Sequence, residues 1–214
     1  IKNPLTPIQL TIDRLKNKYS TQLNDVSSEN FKENLKIINN QIKQIEKLVN
    51  EFSDFARMPK PILRKNNLVD IINENINLLK ELESTIDINF IKKSDKIYLE
   101  SDKEQLNRVF LNLIKNSIES IVQKSENNNN FNKKITIELI EEDTHIIAII
   151  SDTGIGFKNF EKNIKDILNP YFTTKKNGTG LGLSIVNKII NDHNGKIEFI
   201  PINQGAKIRI KFVK

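Results

Sequence analysis

The 214-residue chain has no cysteine, no tryptophan, a single methionine and only two histidines. Without cysteine it can form neither a disulfide scaffold nor a thiolate zinc site. Two histidines, His145 and His193, are too few for a metal centre built from several imidazoles. No apolar run approaches the ~20 residues that a membrane-spanning helix needs. With 37% hydrophobic and 28% charged residues, the composition is that of an ordinary folded protein.

The net charge of +6 indicates a surplus of solvated lysines rather than a nucleic-acid site. Basic residues alternate with acidic ones along most segments, and no Lys/Arg block with interleaved aromatic residues occurs. We therefore expect no nucleic-acid partner. The chain opens Ile-Lys-Asn-Pro, and its only methionine is Met58. We expect it to be part of a longer protein, in which an upstream region could provide a membrane anchor.

The first 56 residues have the pattern of two amphipathic helices. Pro4–Lys18 carries one apolar stripe, and Asn30–Ala56 keeps a strict 4-3 alternation that is typical of a coiled-coil seam. A hairpin of two such helices covers only part of its apolar surface. The pattern predicts a four-helix bundle with a second copy, or a hairpin packed against the rest of its own chain. Arg57–Asn66, with Pro59 and Pro61, is interpreted as a linker.

The remainder, residues 67–214, alternates between helical and strand patterns. Helices are predicted at Leu68–Leu82, Asp102–Lys124 and Leu181–His193. Strands are predicted at Ile86–Ile91, Lys96–Leu99, Ile135–Ile140, Ile146–Ile150, Lys196–Ile200 and Ala206–Val213, the last two as a hairpin. A sheet covered by helices on one side is an α/β two-layer sandwich.

Glycine is concentrated in one part of this sandwich. None of the seven glycines precedes Gly154, and five of them are Gly154, Gly156, Gly178, Gly180 and Gly182. Because glycine allows positive φ and close backbone approach, the clustering predicts a site lined by main chain. A flexible loop that opens into a helix at Leu181 favours phosphate, since the N–H groups and the dipole of a helix N-terminus attract anions.

Two further features could bind parts of a nucleotide. Asp152 follows an apolar strand, where a carboxylate can accept a hydrogen bond from an exocyclic amine such as that of adenine. Asn112 and Asn116 lie one turn apart on the long helix, and an amide oxygen suits a magnesium ion already held by phosphates. Each feature alone also fits a purely structural role. Asp152 could cap a tight turn, and the two asparagines could be a solvated amide pair.

Four motifs together resemble the N, G1, F and G2 boxes of sensor histidine kinases, in the order and approximate spacing of that family. They are NLIKN at 112–116, DTGIG at 152–156, PYFTTK at 170–175 and GTGLGLSIV at 178–186. IKNPLTPIQL at 1–10 resembles the sequence that follows the phosphorylated histidine, and EFSDFARMPKP at 51–61 resembles the nitrogen-regulation, NtrY-type branch. The resemblance covers essentially the whole chain.

The resemblance implies a dimerisation and phosphotransfer hairpin at 1–56, a linker at 57–66 and an ATP-binding catalytic domain of the Bergerat fold at 67–214. ATP and Mg²⁺ are the implied ligands, with Asn116 on the metal and Asn112 beside it. Asp152 would bind the adenine amine, and Gly154 and Gly156 would shape the pocket. The implied ATP lid supplies Phe172, Thr173, Lys175, Gly178, Thr179, Gly180, Leu181 and Gly182.

The same resemblance implies a function in two-component signalling. The γ-phosphate of ATP would pass to a histidine and then to an aspartate of a response-regulator receiver domain. In the family that histidine would lie two residues before Ile1, so this segment is predicted to bind Mg-ATP without phosphorylating itself. Asn3 matches a position linked to dephosphorylation of the regulator. A cytoplasmic location is implied, and the parent protein would reach a membrane only through its upstream region.

Two other functions stay open from the sequence. Related ATPases such as gyrase and MutL carry a glutamate base where this chain has Asn112. An amide cannot abstract a proton, which disfavours an ATP-hydrolysing clamp of the same superfamily but does not exclude it. A non-catalytic scaffold that dimerises through the hairpin is the other alternative.

Overall fold

The computed structural model describes residues 2–19, 25–127, 130–157, 164–175 and 178–214. These residues group into two compact units. The first comprises Ile1–Met58 and Thr173–Thr179, and the second comprises Pro59–Phe172 and Gly180–Lys214. Within the described ranges, no helix combines the length and the apolarity that a bilayer crossing requires.

The first unit is built on two helices, α1 (Lys2–Tyr19) and α2 (Asp25–Ala56). Tyr19 at the end of α1 packs edge-on against Phe31 near the start of α2, so the helices run antiparallel. Their shared core consists of Leu5, Ile12, Leu35 and Ile42. These residues are spaced by seven within each helix, which confirms the predicted hairpin.

The other half of the predicted apolar stripe is largely exposed among the described residues. Its members are 37–49% exposed, although they alternate along the helices with the buried core residues: Ile8, Leu15, Ile38 and Ile45. One half of each helical stripe therefore packs inside the hairpin, and the other half faces outward.

The second unit is an α/β sandwich, as predicted. Its strands are β1 (Arg64–Asn67), β2 (Asp87–Lys92), β3 (Tyr98–Ser101), β4 (Lys134–Glu141), β5 (His145–Asp152), β6 (Lys196–Phe199) and β7 (Lys207–Val213). Its helices are α3 (Leu68–Leu82), α4 (Lys103–Asn127) and α5 (Gly182–Asp192), with a 3-10 helix at Ile164–Leu168.

Five strands form the main sheet in the order β2-β4-β5-β7-β6. β2 runs parallel to β4, and the other neighbours are antiparallel. Alternate residues of β4, β5 and β7 are buried, and α4 packs against β4 and β5 and also against α3 and α5. The core thus lies between one face of the sheet and the three helices.

The structure differs from the sequence interpretation within the predicted linker. Residues 64–66 belong to β1, which pairs with β3 in a separate two-stranded sheet. β1 reads Arg-Lys-Asn-Asn and has no apolar alternation, so the sequence carries no strand signal there. Its pairing is decided by the partner strand. The long helix begins as predicted, since the Asp102 Oδ1 accepts the N–H of Gln105 at 3.1 Å as an N-cap.

Candidate nucleotide-binding site

Asp152, the last residue of β5, is a buried carboxylate surrounded by hydrogen-bond donors. Its Oδ1 accepts the N–H of Gly154 at 2.9 Å and the N–H of Ala206 at 3.3 Å. The side chain of Ser117, on α4, also hydrogen-bonds the carboxylate. The turn after β5, the residue that precedes β7 and helix α4 therefore each supply a hydrogen-bond donor to one acidic group.

Burial raises the pKa of the Asp152 carboxyl above its ordinary value. The hydrogen bonds from Gly154, Ser117 and Ala206 and the charge of Lys124 act against that rise and favour the charged form. Lys124 is itself held nearby, because its Nζ donates to the Thr153 carbonyl at 2.6 Å. A carboxylate at such a site favours a ligand that donates a hydrogen bond, such as an exocyclic amine.

The glycines around Asp152 leave no space for side chains. A Cβ on Gly154 would lie 2.7 Å from the backbone carbon of Ser120. Gly156 has φ +72° and faces Gly205, whose own Cβ would lie 1.7 Å from the Asp152 carbonyl oxygen. The main chain is therefore packed against itself on either side of the carboxylate, as glycine alone permits.

Asn112 and Asn116 of α4 lie beside the first residue of α5. A Cβ on Gly182 would be 3.3 Å from Asn112 Oδ1 and 4.0 Å from Asn116 Nδ2. Asn112 Nδ2 donates to the Arg108 carbonyl at 2.8 Å, which fixes the orientation of its amide. Leu181, the N-cap of α5, makes no side-chain capping hydrogen bond. The amide pair thus adjoins a helix N-terminus, where the backbone favours anions.

The loop that precedes α5 is closed at its base. The N–H of Tyr171 donates to the Gly180 carbonyl at 3.1 Å. Gly180 has φ +71°, and a Cβ there would lie 2.4 Å from the Tyr171 carbonyl carbon. Phe172 leaves this junction on one side, and Leu181, fully buried, enters α5 on the other. Tyr171 and Gly180, on either side of this segment, are therefore hydrogen-bonded to each other.

Four of the predicted lid residues, Thr173, Lys175, Gly178 and Thr179, belong to the first unit. The Thr173 Oγ1 accepts the N–H of Lys175 at 3.1 Å, and the N–H of Gly178 donates to the Lys175 carbonyl at 3.1 Å. The Thr179 hydroxyl donates to the Glu51 carboxylate of α2. The assignment of these residues to a nucleotide stays a prediction.

The side chains at this site suit a magnesium ion that is coordinated mainly by a bound substrate. Among the described residues, no group of three His, Cys, Asp or Glu could bind a metal ion by itself. The amide oxygens of Asn112 and Asn116 are neutral, hard donors next to an anion-favouring helix end. Such a donor set fits Mg²⁺, which is usually bound through few protein ligands together with substrate phosphates.

Each of the two histidines lies at one end of a secondary-structure element. His145 begins β5, as predicted, and its Nδ1 lies 2.6 Å from the Thr144 hydroxyl. His193 is buried as the C-cap of α5, and both of its ring nitrogens are used. Nδ1 donates to the Ile189 carbonyl at 2.8 Å, and Nε2 accepts the N–H of Asp102 at 3.0 Å. Asn3 lies in α1, and its side chain falls outside the described part of the chain.

Sequence reasoning missed the residues of α4 that support Asp152 and the turn after it. Ser120 Oγ accepts the N–H of Ile155 at 3.0 Å, and Lys124 holds the Thr153 carbonyl. A signal was available: Asn112, Asn116, Ser120 and Lys124 recur every four residues, so they share one face of the helix. Ser117 follows Asn116 in the chain and lies outside this four-residue repeat, so no sequence pattern identified it.

Comparisons with known proteins agree with this geometry. The profile of the family described as "Histidine kinase-, DNA gyrase B-, and HSP90-like ATPase" matches residues 101–214, and that of the "His Kinase A (phospho-acceptor) domain" matches residues 1–61. An NtrY-like sensor histidine kinase of Rickettsia prowazekii is 36% identical over 213 residues, which is 99% of this chain and 34% of the relative. The nitrogen regulation protein NtrY of Azorhizobium caulinodans is 33% identical over 98% of this chain and 27% of that protein.

Solved structures point in the same direction. The histidine kinase ThkA, in complex with the response regulator protein TrrA, aligns with a TM-score of 0.68 and 25% identity. That alignment covers 100% of this chain and 59% of ThkA. The chain spans about a third of the length of the rickettsial relative that it matches.

Proposed function

Because this chain belongs to the sensor histidine kinase family, in its NtrY-type branch, we propose that it is the ATP-dependent kinase core of a two-component signalling protein. The reaction is transfer of the γ-phosphoryl group of ATP to a histidine nitrogen upstream of Ile1, with ADP as the leaving group. The phosphoryl group then passes from that nitrogen to a carboxylate oxygen of a response-regulator aspartate.

The observation that carries the proposal is the placement of Asp152 and the α4 amides in one unit with the N-terminus of α5. The buried carboxylate would accept a hydrogen bond from the adenine amine and discriminate against guanine, whose carbonyl oxygen would leave it without a donor. The start of α5 would bind the phosphates through backbone N–H groups at Gly180, Leu181 and Gly182. When bound, Mg²⁺ would neutralise phosphate charge, with Asn116 as its protein ligand and Asn112 beside it.

The chain's own residues would contribute positioning rather than acid–base chemistry. Asn112 occupies the place where a base could activate water, and its amide cannot take a proton. This favours transfer to a side chain over rapid hydrolysis, because phosphoryl transfer depends mainly on alignment and charge stabilisation. The loop residues Phe172, Thr173, Lys175, Gly178 and Thr179 would cover the bound nucleotide.

The direct test is phosphate incorporation by a longer segment that includes the histidine upstream of Ile1. With γ-labelled ATP and Mg²⁺, we expect acid-labile, base-stable label on that histidine, and transfer of the label to a receiver domain. Residues 1–214 alone should bind ATP and remain unlabelled. Steady release of free phosphate without labelled protein would instead indicate an ATP-hydrolysing clamp. Stable label on His145 or His193 would contradict the assignment of the acceptor.

We further propose that the helical unit forms a homodimer, and that the response-regulator receiver domain docks on the resulting bundle. The outward-facing apolar residues Ile8, Leu15, Ile38 and Ile45 support this, because a second copy would bury them and complete a four-helix bundle. Asn3, on α1, would act on the aspartyl phosphate of the docked regulator. The complex recorded for ThkA with TrrA is the precedent for such a partner.

Ile45→Glu should convert the dimer to a monomer, because it places a charge in the centre of the proposed interface. The side chain is 49% exposed within one chain, so the hairpin itself should still fold. Sedimentation equilibrium would measure the change as a dissociation constant at least ~100-fold higher, about the cost of burying an unpaired charge. Asn40→Glu, on the opposite side of α2, is the matched control and should leave the dimer intact. A wild-type chain that is monomeric throughout would contradict the proposal.

A further inference from the structure

The segment that enters the second unit is attached to the start of α4 by side chains. The Asp102 Oδ2 accepts the N–H of Ile62 at 2.9 Å. Gln105, buried on the first turn of α4, donates from Nε2 to the Pro59 carbonyl at 3.1 Å. Directly afterwards, β1 pairs with β3, and Asn66 Nδ2 adds a hydrogen bond to the Ser101 carbonyl at 2.7 Å. We call residues 59–63 the strap.

Asp102 is itself fixed by the end of α5. Its backbone N–H donates to His193 Nε2, while His193 Nδ1 donates to the Ile189 carbonyl. Because a carbonyl can only accept and an N–H can only donate, these two bonds select one neutral tautomer of the imidazole. The buried ring therefore joins the last turn of α5 to the N-cap of α4.

These contacts connect the strap to the candidate nucleotide site. α5 begins at Gly182, beside Asn112 and Asn116, and its C-cap is His193 at Asp102. The Asp102 carboxylate serves two elements at once, since Oδ1 caps α4 and Oδ2 holds the strap. One side chain thus lies between the helices that frame the site and the segment that leads toward α2.

We propose that Asp102 is a positioning residue that fixes the strap to the catalytic unit and so confines bending between α2 and the strap to Arg57 and Met58. α2 ends at Ala56 and the second unit begins at Pro59, which leaves two residues between them. At ~3.5 Å per residue, a two-residue joint spans at most ~7 Å, whereas the seven residues 57–63 would span ~25 Å if the strap were free. The shorter joint raises the effective concentration of the acceptor histidine at the bound ATP.

The expected effect on the rate of autophosphorylation rests on the proposed kinase function, whereas the attachment of the strap by Asp102 does not. The alternative is that Asp102 acts only as a helix cap. Two substitutions separate these roles. Asp102→Ser keeps a good capping oxygen but lacks the second acceptor for Ile62. Ile62→Pro removes the strap N–H and leaves Asp102 untouched. Ile62→Ala, the control, retains the N–H at a side chain that is 67% exposed.

The first measurement is amide hydrogen exchange at Ile62 in residues 1–214. Asp102→Ser should speed exchange at least ~10-fold, while protection in the centre of α4 stays unchanged. The second measurement is autophosphorylation of the longer segment. Asp102→Ser and Ile62→Pro should each lower kcat ~10-fold with the ATP dissociation constant unchanged. The double variant should lower kcat little further, because both substitutions remove the same hydrogen bond between Ile62 and Asp102. Ile62→Ala should match the wild type in both.

If the exchange rate of the Ile62 amide is unchanged in Asp102→Ser, Asp102 does not hold the strap and the proposal is overturned. Faster exchange with unaltered kcat would overturn its positioning role, as would a loss of ATP affinity in proportion to kcat. If the wild-type segment shows no autophosphorylation, the proposed kinase function fails, and the exchange result still decides whether the strap exists.

Discussion

Asp152→Asn is expected to weaken ATP binding by about 100-fold, or ~2.8 kcal/mol at 1.4 kcal/mol per factor of ten. The carboxylate Oδ1 already accepts the N–H groups of Gly154 and Ala206. If the asparagine oxygen keeps those bonds, its NH₂ group opposes the adenine amine. If the amide rotates, the NH₂ group opposes the two backbone donors. Either orientation leaves donors facing donors in a buried site, which costs about 1–3 kcal/mol for each unpaired group.

Isothermal titration with ATP and with GTP in excess Mg²⁺ would measure this loss. The wild type should bind ATP more tightly than GTP, and the variant should lose most of that preference. Equal affinity of the wild type for ATP and GTP would contradict the role given to Asp152. A variant that binds ATP as well as the wild type does would favour the non-catalytic scaffold.

The stability of the unliganded protein provides the control for Asp152→Asn. Burial raises the pKa of this carboxyl in the folded state, so the neutral form is more favoured in the folded protein than in the unfolded chain. Its favourable contribution to folding is complete below the pKa of the unfolded chain and is lost as the pH rises through the higher folded pKa. Above the folded pKa the buried, ionised group therefore costs stability. Asparagine should therefore leave the Tm unchanged or raise it, whereas a parallel fall in Tm and affinity would indicate a structural role.

Asn116→Ala should remove the magnesium-dependent part of ATP binding. The variant's affinity with Mg²⁺ should fall to the value measured with EDTA, because the proposed protein ligand of the metal is lost. In the longer segment, autophosphorylation should fall at least ~100-fold, since the charge on the transferred phosphoryl group is then poorly compensated. Titration calorimetry with Mg²⁺ and with EDTA separates this effect from general damage to the site.

Lys115→Ala is the matched control for Asn116→Ala. Lys115 is the preceding residue of α4 and is exposed, so its loss should change neither the affinity nor the response to EDTA. If Asn116→Ala keeps the wild-type ratio of affinities with and without Mg²⁺, the metal is held by other groups. Asn112 would then be the first residue to test, because its Oδ1 also lies beside Gly182.

Local patterns predicted most of the elements. The structure places α3 at Leu68–Leu82, the range that apolar periodicity predicted, and α4 starts after its predicted N-cap, Asp102. The alternation of Ile208, Ile210 and Phe212 predicted a strand with one buried face, and β7 has that pattern. These signals lie within a few neighbouring residues, where helical and strand periods are encoded directly.

Contacts between distant segments were not predictable in the same way. β1 has no apolar alternation and becomes a strand only through pairing with β3. His193 was expected near a helix end, but its bond to the Asp102 N–H joins residues 91 positions apart. Ala206, which donates to Asp152, follows a turn whose glycine fits against the Asp152 carbonyl. None of these partners has a spacing that a sequence pattern could reveal.

The sequence by itself determined the helical hairpin, the layered α/β unit and the residue types that resemble a kinase nucleotide site. Helical and strand periods are local properties, and amide, carboxylate and glycine chemistry belongs to the residues wherever they lie. Only the tertiary structure decided which half of the hairpin stripe stays exposed and that Asp102 lies between the end of α5 and the strap. Those outcomes depend on long-range packing, in which a buried polar group must find its partner wherever the fold brings one close.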